Sequence, residues 1–194
     1  IEVNSQIEKD LSNKFPMHRL LQGEVGSGKT VVALRAMLSV VDSSGQAALL
    51  APTEVLAQQH FRTIKKLLGE LAQAGTLQAG SIGTEVELLT GSLSTAEKKE
   101  IHAKLASGQT GIVIGTHALI SDGVTFADLG LVVVDEQHRF GVEQRDALRM
   151  KAKQPPHLLV MTATPIPRTV AMTVFGDLDI STLKELPSGR VAIT

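Results

Sequence analysis

Cysteine, tryptophan and tyrosine are all absent from this chain of 194 residues, and phenylalanine occurs only five times. Without cysteine there can be no disulfide scaffold, thiolate metal site or cysteine nucleophile. So few rings cannot build the stacking platforms of single-strand nucleic-acid binders. A surplus of either charge is lacking too: 19 Lys and Arg against 20 Asp and Glu give a formal net charge of −1. A protein that grips nucleic acid by bulk charge is distinctly basic, so any such contact here falls to backbone amides, hydroxyls and a few cations. Apolar runs are short, Gly130-Leu131-Val132-Val133-Val134 among the longest, and none is long enough to span a membrane. Residues 1–16 carry charges throughout and no apolar signal-peptide core, so the cytoplasm is the expected compartment.

The composition that remains is ordinary for a globular chain, with 43% hydrophobic and 20% charged residues. Its length suits one domain that needs no staple. Short β-branched apolar runs at 18–22, 47–51, 86–90, 111–116, 131–135, 158–162 and, weakly, 179–183 each lead into a longer helical pattern. None alternates strictly, as expected of strands covered on both faces in a parallel sheet. Helices are predicted at 30–41, 54–74 and 142–153, the last closed by Pro155-Pro156. Ser94-Thr95-Ala96-Glu97 fits a capping box opening another, which ends at Ser107-Gly108. Residues 75–83 read as a loop excursion. Strand–helix alternation of this kind predicts a three-layer α/β domain with a mostly parallel central sheet, filling residues 1–194.

Gly23-Glu24-Val25-Gly26-Ser27-Gly28-Lys29-Thr30 matches the phosphate-loop pattern G-x-x-x-x-G-K-[ST] in full, with an apolar strand before it and an apolar helix after. Its glycines let successive amides turn toward a phosphate, and the helix N-terminus adds the positive end of a dipole. Lys29 is placed to reach the β- and γ-phosphates of ATP and Thr30 to ligate Mg²⁺. The competing reading is a glycine-rich turn that binds nothing, which leaves the flanking strand and helix unexplained. Asp135 closes the run Leu131-Val132-Val133-Val134 as a second Mg²⁺ ligand, and Glu136 follows as the group that polarises the attacking water. A solvated turn could carry two acids as well, but a buried strand seldom ends in two carboxylates for packing alone. The catalytic set is therefore Lys29, Asp135 and Glu136. Six histidines show no metal-ligand spacing, which disfavours zinc at His138, and His117 alone stands out from the other five.

Two further strand-end segments, Thr162-Ala163-Thr164-Pro165 and Ala51-Pro52-Thr53-Glu54-Val55-Leu56-Ala57-Gln58-Gln59, are similar to the Thr-Ala-Thr motif and motif Ia of superfamily 2 helicases. With Gly115-Thr116-His117-Ala118-Leu119 and Asp135-Glu136-Gln137-His138-Arg139-Phe140-Gly141, their order and spacing resemble the RecG branch-migration family over nearly the whole chain. The related transcription-repair coupling factors, double-strand DNA translocases, share Phe140-Gly141 and Thr162 to Thr169 but usually carry Glu where Gln137 stands; the primosomal helicase is a more distant third. The resemblance implies a RecA-like fold and an ATP- and Mg²⁺-dependent motor that remodels branched or forked DNA in recombination and repair, in a cytoplasmic, nucleoid-associated setting. It implies that Gln137, His138, Thr162 and Thr164 couple nucleotide state to DNA grip. It also implies backbone contacts to DNA near Pro52, Thr53, Thr90, Gly91, Gly115, Thr116 and His117. The family's second RecA-like domain with its arginine fingers, its DNA-junction wedge domain and its adenine-reading glutamine motif are expected outside these 194 residues. Three rivals remain: a transporter-type ATPase, whose Leu-Ser-Gly-Gly-Gln is absent; a non-catalytic nucleotide binder, which has no need of Lys29, Asp135 and Glu136; and a plain DNA-binding protein, disfavoured by charge.

Overall fold

A computed structural model describes residues 2–73, 85–135, 142–165, 167, 169 and 178–183. Its elements are α1 (Glu2–Leu11), β1 (His18–Gln22), α2 (Lys29–Asp42), β2 (Gln46–Leu50), α3 (Glu54–Gln73), β3 (Glu85–Leu89), α4 (Thr95–Ser107) and β4 (Thr110–Gly115), then a 3₁₀ turn (His117–Ile120), β5 (Leu129–Asp135), α5 (Val142–Arg149), β6 (His157–Thr162) and β7 (Asp179–Thr182). The seven strands form one sheet in the order β3-β4-β2-β5-β6-β1-β7. Every pairing is parallel. That agrees with the three-layer α/β fold expected from the sequence.

Successive strand residues face opposite layers, which is why the apolar runs need no alternation. Leu21, Leu49 and Val133 pack with Ile7 of α1, Met37 of α2 and Ile64 of α3. Their neighbours Leu20, Leu50 and Val132 pack with Ile101 and Leu105 of α4, Leu119 of the 3₁₀ turn and Leu148 of α5. On α2 the buried residues Ala33, Ala36, Met37 and Val40 recur at helical spacing. The capping box of α4 is formed as its sequence predicts: Glu97 N donates to Ser94 Oγ at 3.3 Å and Ser94 N to Glu97 Oε2 at 2.9 Å.

Strands β2 to β6 start one or two residues earlier than the apolar runs, and in β2 and β4 the first residue is polar and still buried. Gln46 is 2% exposed and Thr110 fully buried. The Gln46 amide donates to Leu105 O at 3.0 Å and Thr110 O at 2.8 Å, and its Oε1 accepts from Asp128 N at 2.9 Å. Gln46→Leu, similar in volume but unable to bond, strands buried backbone groups. It should lower stability by about 2–4 kcal/mol. Urea unfolding followed by far-UV circular dichroism reads that loss directly.

Two elements depart from the sequence expectation. Helix α1 lies in the charged stretch 1–16, where no element is expected. Apart from the fully buried Ile7, it is held by a polar relay: Arg19 Nε donates to Asp10 Oδ2 at 2.9 Å, Arg19 Nη1 to Ser181 Oγ at 2.6 Å, and Ser181 Oγ to Gln6 Oε1 at 2.7 Å. Helix α5 ends at Arg149 rather than near 153, because Lys151 N and Ala152 N switch to carbonyls three residues back, both at 3.1 Å. The expected excursion 75–83 lies outside the described residues. No helix among the described residues is long and apolar enough to cross a membrane.

Candidate functional site

All seven strands point their carboxyl ends to one edge, where open parallel sheets bind ligands. Register fixes that edge: Gln22 lies opposite Thr162, Met161 opposite Asp135, and Leu50 opposite both Val134 and Gly115. The phosphate loop leaves β1 here. Gly23 N donates to Thr162 O at 3.2 Å, tying the loop to the end of β6. Gly28 has φ of 88°, a left-handed conformation natural to glycine, and α2 begins at the next residue with no side chain capping it. Val31 N and Val32 N bond Gly28 O, and the amides of Lys29 and Thr30 before them suit an anion.

Lys29 lies at this helix start, its Nζ donating to Gly23 O at 2.6 Å and Glu24 O at 2.8 Å. Burial pulls its pKa below the ordinary lysine value, and the Asp135 carboxylate opposes that shift. Two features fit a phosphate ligand. Ser27 Oγ is buried inside the loop with no hydrogen-bond partner among the described residues. A Cβ on Gly23 would stand 2.4 Å from that same oxygen and 3.1 Å from Leu183 Cβ, so a side chain there would crowd the loop. Thr30 lies one residue into α2. Asp135 ends β5, two strand spacings from β1, or about 10 Å. The donor set of a hydroxyl and a carboxylate suits Mg²⁺, a hard oxygen-seeking ion.

Sequence reasoning missed one residue here. His60, in the second turn of α3, places Nε2 2.6 Å from Asp135 Oδ2, with side chains 12% and 16% exposed. Its spacing from Ala57 and Ile64 put it on a buried stripe, but nothing local could reveal a partner 75 positions away. Thr162 is buried and Thr164 exposed; their hydroxyls are 3.1 Å apart, and Thr164 N donates to Thr162 Oγ1 at 3.2 Å. Thr162 O is also the acceptor for the phosphate loop, so the Thr-Ala-Thr turn and the loop are in direct contact. Glu136, Gln137 and His138 lie outside the described residues.

The residues expected near DNA gather on the other half of the same edge, at the ends of β2, β4 and β3. Thr53, Gly91 and His117 are exposed and Pro52 half-buried. Thr53 Oγ1 also accepts from Leu56 N at 3.3 Å, capping α3. Thr90 and Thr116 are buried at 1% exposure; Thr90 Oγ1 lies 3.1 Å from Ser92 Oγ, whereas Thr116 Oγ1 has no partner among the described residues. Gly115 owes its identity to packing, since a Cβ there would stand 2.2 Å from Leu89 O. Glu54, which sequence reasoning did not single out, accepts from Ser92 N at 3.0 Å. The Ser92 contacts hold its carboxyl below the usual glutamate range. Lys98 Nζ bonds Gly91 O at 2.6 Å, fixing the same loop from the far side.

The chain is similar to an ATP-dependent DNA helicase RecG of Mycobacterium tuberculosis, with 62% identity over 99% of this chain and 26% of that protein. A RecG of Synechocystis sp. is 52% identical over 98% of this chain and 22% of its own length. The chain thus spans about a quarter of the length of these relatives. Among solved structures, RecG bound to a three-way DNA junction superposes with a TM-score of 0.75 at 39% identity, over 100% of this chain and 25% of that one. The Pyrococcus furiosus Hef helicase domain shares the fold, with a TM-score of 0.64 at 21% identity over 95% of this chain and 38% of that one. The profile of the DEAD/DEAH box helicases matches residues 6–173, which takes in the phosphate loop, Asp135 and the Thr-Ala-Thr turn. With those elements meeting at one sheet edge, the chain belongs to the DEAD/DEAH box helicase family.

Proposed function

We propose that this chain is the ATP-binding half of a DNA helicase motor that couples ATP hydrolysis to branch migration and the remodelling of forked or branched DNA. The observation that carries this reading is the hydrogen bond from Gly23 N to Thr162 O. It joins the phosphate loop to the turn on which family members sense nucleotide, and the candidate DNA contacts lie along the same edge. The likeness to a RecG seen on a three-way junction supports branched DNA as the partner.

In this mechanism Gly23, Glu24, Val25, Gly26, Ser27 and Gly28 line the phosphate cradle, while Lys29 exchanges its loop carbonyls for phosphate oxygens. Thr30 and Asp135 would hold Mg²⁺, which when bound would supply positive charge to the phosphate oxygens. Glu136 orients and deprotonates water. Gln137, His138, Thr162 and Thr164 carry the change in nucleotide state toward the end of the sheet where Pro52, Thr53, Gly91 and His117 meet the DNA backbone. Thr90, Gly115 and Thr116 shape that surface from below. A second RecA-like domain supplies the arginine finger and a wedge domain engages the junction, both in the same full-length protein, acting in the cytoplasm at the nucleoid.

The test is a strand-displacement assay with the full-length protein on a synthetic fork. ATP-dependent unwinding that needs the branch is the expected result. Movement on unbranched duplex with no preference for the fork would favour a translocase of the transcription-repair coupling type instead.

A further inference from the structure

His60 lies outside the residues to which the helicase motifs give nucleotide or DNA roles, yet its Nε2 stands 2.6 Å from the oxygen Oδ2 of Asp135. An ionised carboxylate only accepts, so Nε2 carries the proton and donates. Both groups are fixed from beneath. Ala57 and Ile64, three residues before and four after His60, are fully buried and pack α3 against the sheet. Asp135 ends a strand whose residues Leu131 to Val134 are buried on both faces. The Lys29 ammonium, whose charge is felt by this carboxylate, directs its Nζ to Gly23 O and Glu24 O instead. A metal-binding carboxylate is oriented by hydrogen bonds to its non-ligating side, and such outer partners commonly change metal affinity 10- to 100-fold.

We infer that His60 is a positioning residue for the divalent ion: its Nε2–H holds Asp135 Oδ2 and leaves the remaining oxygen of Asp135 to the metal. The inference rests on the reading of Asp135 as a metal ligand.

The test compares two amides that differ by one methylene. In His60→Gln the amide nitrogen reaches roughly where Nε2 stands; in His60→Asn it stops short. Mn²⁺ is titrated into the full-length protein with ADP, and free Mn²⁺ is read by electron paramagnetic resonance, with folding checked by circular dichroism. His60→Asn should weaken Mn²⁺ binding about tenfold or more, while His60→Gln stays within about threefold of the parent. Should His60→Asn not fold, His60→Ala takes its place. Asp135→Asn is the control. If it leaves Mn²⁺ affinity intact, the metal-ligand reading falls and the inference with it. If it weakens binding while His60→Asn matches the parent, or while His60→Gln loses as much as His60→Asn, only the role of His60 is overturned.

Discussion

Taken by itself, the 194-residue chain is expected to hydrolyse ATP about 10³- to 10⁵-fold more slowly than the full-length protein, with or without forked DNA. The groups that position substrate are, in the proposed mechanism, on this chain: the loop from Gly23 to Thr30, Asp135 and Glu136. In the proposed mechanism the charge that develops in the transition state is neutralised by an arginine from the second RecA-like domain, and an arginine finger contributes about 10³–10⁵ in rate. Positioning without that neutralisation leaves most of the barrier standing, because the reaction depends almost wholly on placement and electrostatics. Phosphate release measured on the chain and on the full-length protein under the same conditions decides the matter. Comparable, DNA-stimulated turnover by the chain alone would place the neutralising group within these residues and overturn the proposed division of labour.

Lys29→Ala in the full-length protein should lower turnover by about 10²- to 10³-fold or more, in the range seen when a preorganised donor to a developing charge is removed. It should also abolish the calorimetric signal of ADP titrated with Mg²⁺. The structure argues that this loss is chemical rather than structural. Among the described residues the Lys29 ammonium bonds carbonyls of its own loop, Gly23 O and Glu24 O, and its side chain is not part of either hydrophobic core. The melting temperature of Lys29→Ala should therefore stay close to that of the parent. Full turnover with an unchanged melting curve would remove Lys29 from the phosphate site. A large drop in melting temperature would instead give the lysine a structural role that its contacts do not support.

The layer order, the phosphate loop and the strand-end acid are legible in the sequence because their signals are local. A parallel strand buried on both faces must be an apolar run. A phosphate cradle must have glycines before a helix start, and a capping box must have Ser94 and Glu97 three residues apart. Strand starts were less legible, since Gln46 and Thr110 are polar yet buried and only their distant partners make that tolerable. The same holds for α1, whose charged sequence conceals a helix fastened by Arg19 of the next strand and by Ser181 of β7, far along the chain.

Local residue order thus sets the chemistry offered at each strand end: a glycine-rich loop, a carboxylate, a hydroxyl pair and a helix start. Which of these meet is settled by the packing of the sheet. Strand order brings Gly23 to Thr162, and α3 carries His60 to Asp135 across 75 positions. It also sinks Thr90 and Thr116 beneath a surface on which Thr53, Gly91 and His117 stay accessible. The reason is physical. Periodicity and motifs follow from forces acting within a few residues, whereas contacts between strand ends depend on how the whole sheet is ordered and packed.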